Sequence, residues 1–303
     1  MDVSIIIVNF NTLHLTKNCI ESIFKKTTEV SFEVILVDNA SSDGSKEFFE
    51  TDKRIKYFYL TENIGFGKAN NYGIERAIGK YIFCLNNDTL LINNAVKLFF
   101  DYCEGKSNNN IHIGAVGCML ENADGEIIHS YGRFPSMKRI LADRLISPMY
   151  TIMGKRYNKF NQKAINDYDL NVDYVTGADM FVNRELLKKL GAFDPDFFMY
   201  FEETELQNRL TKAGYPSMVI STPRIIHLEG ASVNREVPPN HSMKQHLTNK
   251  LVYNQRSEFI YMRKTHPFLA YILYRFIFFI IRIPFLLLLS RSERRIYFNI
   301  LIK

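Results

Sequence analysis

Three short segments carry side chains able to do chemistry. Asn86-Asn87-Asp88 ends an apolar run, and because side chains alternate along a strand, Asn86 and Asp88 leave on one side and can face one ion or one ribose. A hard divalent cation held by carboxylate and water is the usual means of offsetting the charge of a diphosphate, and Asp88 is placed to hold one. His227, in His227-Leu228-Glu229-Gly230-Ala231-Ser232, is a candidate to complete that site, although a lone histidine is more often only a hydrogen-bonded side chain. Glu202, Glu203 and Glu205 stand just before the amphipathic Leu206 to Leu210, where a helix dipole stabilises acidic side chains. Glu203 has a further use, since the aromatics around it supply apolar surroundings that raise a carboxyl pKa toward the range of a general base.

Asp38 ends another apolar run in a loop rich in Asn, Ser and Gly, which suits an acceptor for a ring N–H or a ribose hydroxyl and equally suits a plain turn. Asn63-Ile64-Gly65-Phe66-Gly67-Lys68-Ala69-Asn70-Asn71 has two glycines of a dinucleotide phosphate loop, but Asn70 stands where the third would be. A dinucleotide site is therefore disfavoured.

These segments need a scaffold. Ser4 to Val8, Phe32 to Val37, Tyr57 to Leu60 and Tyr81 to Leu85 read as strands, alternating with helical patterns such as Leu13 to Phe24, which predicts a parallel sheet covered by helices. The polar loops at Asn9-Phe10-Asn11, Asp38 to Gly44 and Asn86 to Thr89 then converge on one sheet edge, where ligands of open α/β sheets bind. Met218 to Ile226 reads as a strand, Lys106 to Asn110 as a surface turn, and Arg133 to Asp173 as a variable insertion.

Composition narrows the field. Of 303 residues, 47% are hydrophobic and 23% charged, as in ordinary globular proteins. Cys19, Cys84, Cys103 and Cys118 form no CxxC pair, so neither a zinc site nor a disulfide framework is expected, and the start of the chain lacks the features of a secretory signal. A net charge of +6 predicts an anionic partner. Nucleic acid is not that partner, because basic residues are scattered and concentrate only beside the apolar tail.

In order, IIIVNFN, VDNASSDGS, NIGFGKANNYGI, GKYIFCLNNDT, TGADMFVNRELLKKLGAFDPDFFMYFEETEL and HLEGAS resemble family 2 glycosyltransferases of the GT-A fold, in particular bacterial rhamnosyltransferase-like members, over roughly residues 1 to 235. The resemblance implies a Rossmann-like α/β fold with a mixed, mainly parallel sheet flanked by helices, and an inverting transfer of one sugar from a UDP- or dTDP-linked donor to a saccharide or lipid-linked saccharide, in cell-surface polysaccharide synthesis, with Mg2+ or Mn2+ as cofactor. It implies that Asn9 and Asn11 border the base pocket, that Asp38 accepts from the pyrimidine N–H, and that Asn63, Gly65, Phe66, Asn71, Asn86, Asn87 and Asp88 line the donor. Asp88 and His227 would hold the metal, Gly177, Ala178, Asp179 and Glu202 would line the acceptor side, and Glu203 would be the base. Asn86 and Glu203 stand where the family carries aspartates, so a catalytically silent binding or assembly protein is the alternative. A nucleotidyltransferase lacks support, since no glycine-rich loop precedes Lys17.

The tail differs from the rest. Phe268 to Leu289 is almost wholly apolar, with Arg275 and Arg282 nearly two helical turns apart on one face and basic residues on both flanks, Arg263 and Lys264 before it and Arg291, Arg294 and Arg295 after it. This pattern predicts a transferase domain over 1–255 and a helical segment over 256–303 lying on an anionic membrane surface, at the cytoplasmic face of the inner membrane. A hairpin packed on the catalytic domain or on a second copy in a homo-oligomer is the alternative.

Overall fold

The computed structural model describes residues 1–140, 142, 169–228, 243–288 and 294. Most of the insertion expected between Arg133 and Asp173, Glu229 to Ser232, Leu289, Arg291 and Arg295 lie outside the described residues. In chain order the elements are β1 (Val3–Asn9), α1 (Leu13–Lys26), β2 (Phe32–Asp38), α2 (Ser45–Phe49), β3 (Lys56–Tyr59), α3 (Phe66–Ile74), β4 (Tyr81–Leu85), β5 (Thr89–Leu91), α4 (Ala95–Asn108), β6 (Ala115–Glu121), β7 (Tyr131–Gly132), β8 (Leu170–Val172) and β9 (Tyr174–Val175). Then follow β10 (Asp179–Asn183), α5 (Arg184–Leu190), α6 (Glu202–Lys212), β11 (Ser217–His227), α7 (Met243–Thr265) and α8 (Phe268–Leu288).

The main sheet runs β3-β2-β1-β4-β10-β6-β11-β5, with β8 on the outer side of β11. Its first four strands are parallel, as their apolar runs predict: Ile5, Ile6 and Ile7 of β1 are all fully buried, because helices cover both faces. β10 then inserts antiparallel between β4 and β6, making the sheet mixed. On one face Ile5, Ile7, Val34 and Leu36 pack under α1 and α4; on the other Ile6, Ile35 and Val37 pack with Ala69, Leu186 and Leu206 of α3, α5 and α6. α1 is held down by Thr16, Cys19, Ile20 and Ile23, spaced as one helical face requires. The turn expected over Lys106 to Asn110 starts later, since α4 continues through Asn108 before Asn110 turns with φ 57°.

A third core sits between α7 and α8, where Phe259, Tyr261 and Met262 pack against Tyr271, Tyr274 and Phe278, joined by Phe197. The division expected between residues 255 and 256 falls inside α7, which runs unbroken from Met243 to Thr265. Arg263 and Lys264 are not a free basic flank: Lys264 pairs with Asp194 and Asp196 at 2.7 Å each, and Arg263 reaches Asp196 at 3.5 Å. Arg275 lies over the rings of Phe259 and Tyr271 at the edge of the packed face of α8. Its other face leaves Phe268, Leu269, Ile272, Leu273, Phe276 and Ile280 exposed. Among the described residues no helix is long and apolar enough to cross a membrane.

Where β10 meets β4, Phe181 stacks on Phe99 at 5.5 Å and on Tyr81 at 5.1 Å and touches Phe83. It is fully buried. Phe181→Ala should lower the unfolding free energy by about 3–5 kcal/mol, read from the shift in denaturant midpoint.

Candidate active site

The ends of β1, β2 and β4 meet in a polar cluster. Asn9, fully buried, donates to Ser41 Oγ (3.0 Å) and Asp38 Oδ2 (3.3 Å), and its Oδ1 accepts from the hydroxyls of Thr12 and Thr16 at 2.8 Å each. Asp38 is also fully buried, and it accepts from Ser41 N (2.7 Å) and the Tyr57 hydroxyl (3.0 Å) besides Asn9. Asn87 points away from Asp88 and donates to Thr12 and Thr16 at 2.5 and 3.0 Å, tying the end of β4 to the start of α1. Asn11, with φ 54°, accepts from Ser42 N at 2.8 Å and so joins the first loop to the second. Asn9 and Asp38, fully buried, and the half-buried Asn87, all expected at the donor, thus have polar atoms bonded to one another and to the loops around them.

The loop from Asn63 to Phe66 hangs from this cluster. Asn39, a residue the sequence did not single out, donates to Asn63 Oδ1 (2.9 Å) and accepts from Ile64 N (3.0 Å). Gly65 has φ 89°, and a Cβ there would lie 2.4 Å from Phe198 O, which also accepts from Phe66 N at 2.8 Å. Only glycine fits, and the approach locks Gly65-Phe66 to the loop before α6. Asn71, expected near the nucleotide, clamps the Phe193 backbone at 2.7 and 3.0 Å.

Asp88 and His227 come together although 139 positions separate them (227 − 88). β5 pairs antiparallel with the end of β11, placing Thr89 opposite His227, and Leu228 N donates to Asp88 O at 2.9 Å. His227 Nε2 lies 3.1 Å from Asp88 Oδ1 and 3.4 Å from Asn86 Nδ2, so Asn86 and Asp88 do share a side. Among the described residues no group of three or more His, Cys, Asp or Glu could hold an ion. One carboxylate with one imidazole nevertheless suits Mg2+ or Mn2+ bound mainly by water and phosphate oxygens, so the residues fit a cation that arrives with a diphosphate.

The turn Thr176-Gly177-Ala178 joins these parts. Ala178 O accepts from Asn86 N at 2.9 Å, and a Cβ on Gly177 would lie 3.6 Å from Glu203 Cβ and 3.7 Å from the Phe66 ring. The turn thus lies against both the start of α6 and the Gly65-Phe66 loop. Glu203 is half-buried at the start of α6, and burial raises its carboxyl pKa above the ordinary value. Glu202 is almost fully buried; burial and then the charge of Glu203 hold its carboxyl well above the usual range. Asp179 is fully buried, accepts from Cys118 N at 2.6 Å, and is pushed up to about 7 by burial. Of the residues expected on the acceptor side, Ala178, Asp179 and Glu202 are buried, while Gly177, like Glu203, is half-buried. α6 begins after Tyr200 and Phe201, with φ 71° and 69°, and α7 braces that bend through the Phe198–Tyr253 stack (4.8 Å) and Ser257 Oγ donating to Met199 O (2.7 Å). Nothing in the spacing of the sequence signals Tyr57, Phe198 or Tyr253.

A family model described as glycosyl transferase family 2 matches residues 4–191. The N-acetylglucosaminyl-diphospho-decaprenol L-rhamnosyltransferase of Mycobacterium tuberculosis is 23% identical over 231 residues, 72% of this chain and 73% of that protein. The O-antigen biosynthesis protein RfbC of Myxococcus xanthus is 25% identical over 248 residues, 78% of this chain but 18% of that longer protein. Among solved structures, GalNAc-T7 with UDP, GalNAc and Mn2+ matches at a TM-score of 0.56 and 16% identity, over 76% of this chain and 45% of that one. The mannosyltransferase PcManGT of Pyrobaculum calidifontis, with GDP-Man and Mn2+, matches at 0.52 and 16%, over 88% and 65%. At such identities the likeness concerns fold alone. With the family model spanning more than half of the 303 residues, the chain belongs to glycosyl transferase family 2 and carries a GT-A-like mixed α/β fold.

Proposed function

We propose that the chain is an inverting glycosyltransferase that moves a sugar from a UDP- or dTDP-linked donor to a saccharide or lipid-linked saccharide in cell-surface polysaccharide synthesis. The observation that carries this reading is the Gly177 turn, which abuts Glu203 on one side and the donor loop at Phe66 on the other. The names of the Mycobacterium and Myxococcus relatives support the polysaccharide setting and a rhamnosyl or related sugar.

In this mechanism the acceptor oxygen attacks the anomeric carbon as the bond from that carbon to the diphosphate oxygen breaks, and the acceptor proton passes to Glu203. Half-burial keeps the carboxylate basic enough to take it. A divalent cation at Asp88 and His227, when bound, supplies charge stabilisation to the departing diphosphate. The Gly177 turn holds donor loop and base at fixed separation, which supplies orientation.

The exposed face of α8 supports a peripheral site of action. Its apolar stripe, Phe268, Leu269, Ile272, Leu273, Phe276 and Ile280, with Arg275 at the margin, suits a helix lying in the plane of an anionic bilayer at the cytoplasmic face, where a lipid-linked acceptor would be reached. Association with a second copy through the same stripe is the competing use.

Three measurements test this reading. Glu203→Gln should reduce transfer at least 100-fold while donor binding by calorimetry is unchanged; the wild-type kcat should rise with pH along a limb above 4.5, because the raised pKa leaves the base protonated at lower pH. Substantial transfer by the Gln variant would remove Glu203 from the role. UDP or dTDP with Mn2+ should raise the melting temperature of the wild type, and Asp88→Asn or His227→Ala should abolish the part of that shift requiring Mn2+. Finally, the protein should float with vesicles containing anionic lipid, and Leu269→Glu with Phe276→Glu should release it; a concentration-dependent dimer lost in that variant, with no flotation of the wild type, would assign the stripe to self-association instead.

A further inference from the structure

Gln207 lies one helical turn beyond Glu203 on α6, and its side chain is fully buried. Burying a primary amide is unfavourable unless its donors and acceptors are matched, and here all are. Its Oε1 accepts from Val175 N (2.8 Å) and the Ser217 hydroxyl (2.9 Å); its Nε2 donates to Val175 O (2.8 Å) and Glu203 O (3.1 Å). The amide thus takes both backbone groups of Val175, as a neighbouring strand would. Among the described residues β9 pairs with a strand only along its other edge, where Thr176 donates its N–H to Ser130 O.

Val175 stands two residues before Gly177, the residue that abuts Glu203. The same side chain is therefore bonded to the helix that carries the base and to the strand that leads into the turn facing it. Burial of Val175 against Gly117, where a Cβ would lie 3.0 Å from Val175 Cβ, leaves the strand no room to shift toward the sheet. Separation of base and turn is set on the other side by Gln207 alone among the side chains whose bonds to Val175 are described.

We infer that Gln207 is a positioning residue that fixes the height of the Glu203 carboxylate over the Gly177 turn, so that loss of its amide uncouples acceptor transfer from donor use. The inference rests on Glu203 acting as the base. Methionine has nearly the shape of glutamine without its hydrogen bonds, and a displacement of about 1 Å at a reacting group can cost on the order of 100-fold in rate.

Gln207→Met should therefore lower kcat for transfer by about 10- to 100-fold, with the KM for donor and the slow hydrolysis of donor by water within about twofold of wild type. Hydrogen exchange should quicken in the peptide containing 174–178 and stay unchanged in α1 and α3. Gln207→Glu, which keeps the oxygen that receives Val175 N–H, should lie between Met and wild type in both readouts and serves if the Met variant does not fold. Ser217→Ala, which leaves both Val175 bonds in place, should transfer near the wild-type rate. Unchanged protection of 174–178 in the folded Gln207 variants, or transfer and hydrolysis falling together, would overturn the proposal. Glu203→Gln run alongside separates the two claims: if it still transfers, the base assignment has failed, whereas an inactive Glu203→Gln beside a fully active Gln207→Met would sink the positioning role alone.

Discussion

The site depends on one constraint, that a polar group taken out of water must meet another. At the ends of β1, β2 and β4 this constraint acts on amides and a carboxylate placed side by side: Asn9, Asp38 and Asn87 are satisfied by each other and by Thr12, Thr16, Ser41 and Tyr57. The network ties these loops together at one edge of the sheet. A little further out, Asn39 and Asn63 extend the same logic to the Gly65 loop. Rigidity of the pocket is thus a by-product of desolvation.

Much of this was legible beforehand, for particular reasons. Continuous apolar runs fall on β1, β2 and β4 because strands sheathed on both faces have no polar side, and their ends are polar because there the helical cover stops. The meeting of Asp88 with Asn86 and His227 followed from alternation and motif order. What could not be read was direction. Nothing in the string distinguishes an asparagine that faces a ligand from one that clamps a backbone, as Asn71 does to Phe193, and a pair of adjacent glutamates gives no sign that one turns inward. That a mixed sheet was expected did not reveal which strand runs antiparallel, because the partners of β10 are distant in sequence.

The C-terminal helices show how a peripheral element acquires a role in the site. Residues of α7 brace the bend before α6 through a ring stack and a hydroxyl, while two acidic residues of that loop neutralise its terminal cations. The start of α6, which carries Glu203, is therefore held both by the sheet and by this hairpin. An exposed apolar face of α8 remains after those demands are met.

The pairing of β5 with β11 has an implication for how the molecule is made. On a ribosome, the four parallel strands can assemble soon after residue 85 has left the exit tunnel, but Thr89 to Leu91 must wait for residues 225 to 227 to supply an edge. Asp88, caught between an early strand and a late one, acquires its final geometry only when more than a hundred further residues have been translated. The parallel strands thus form first, and the contact of Asp88 with His227 closes last.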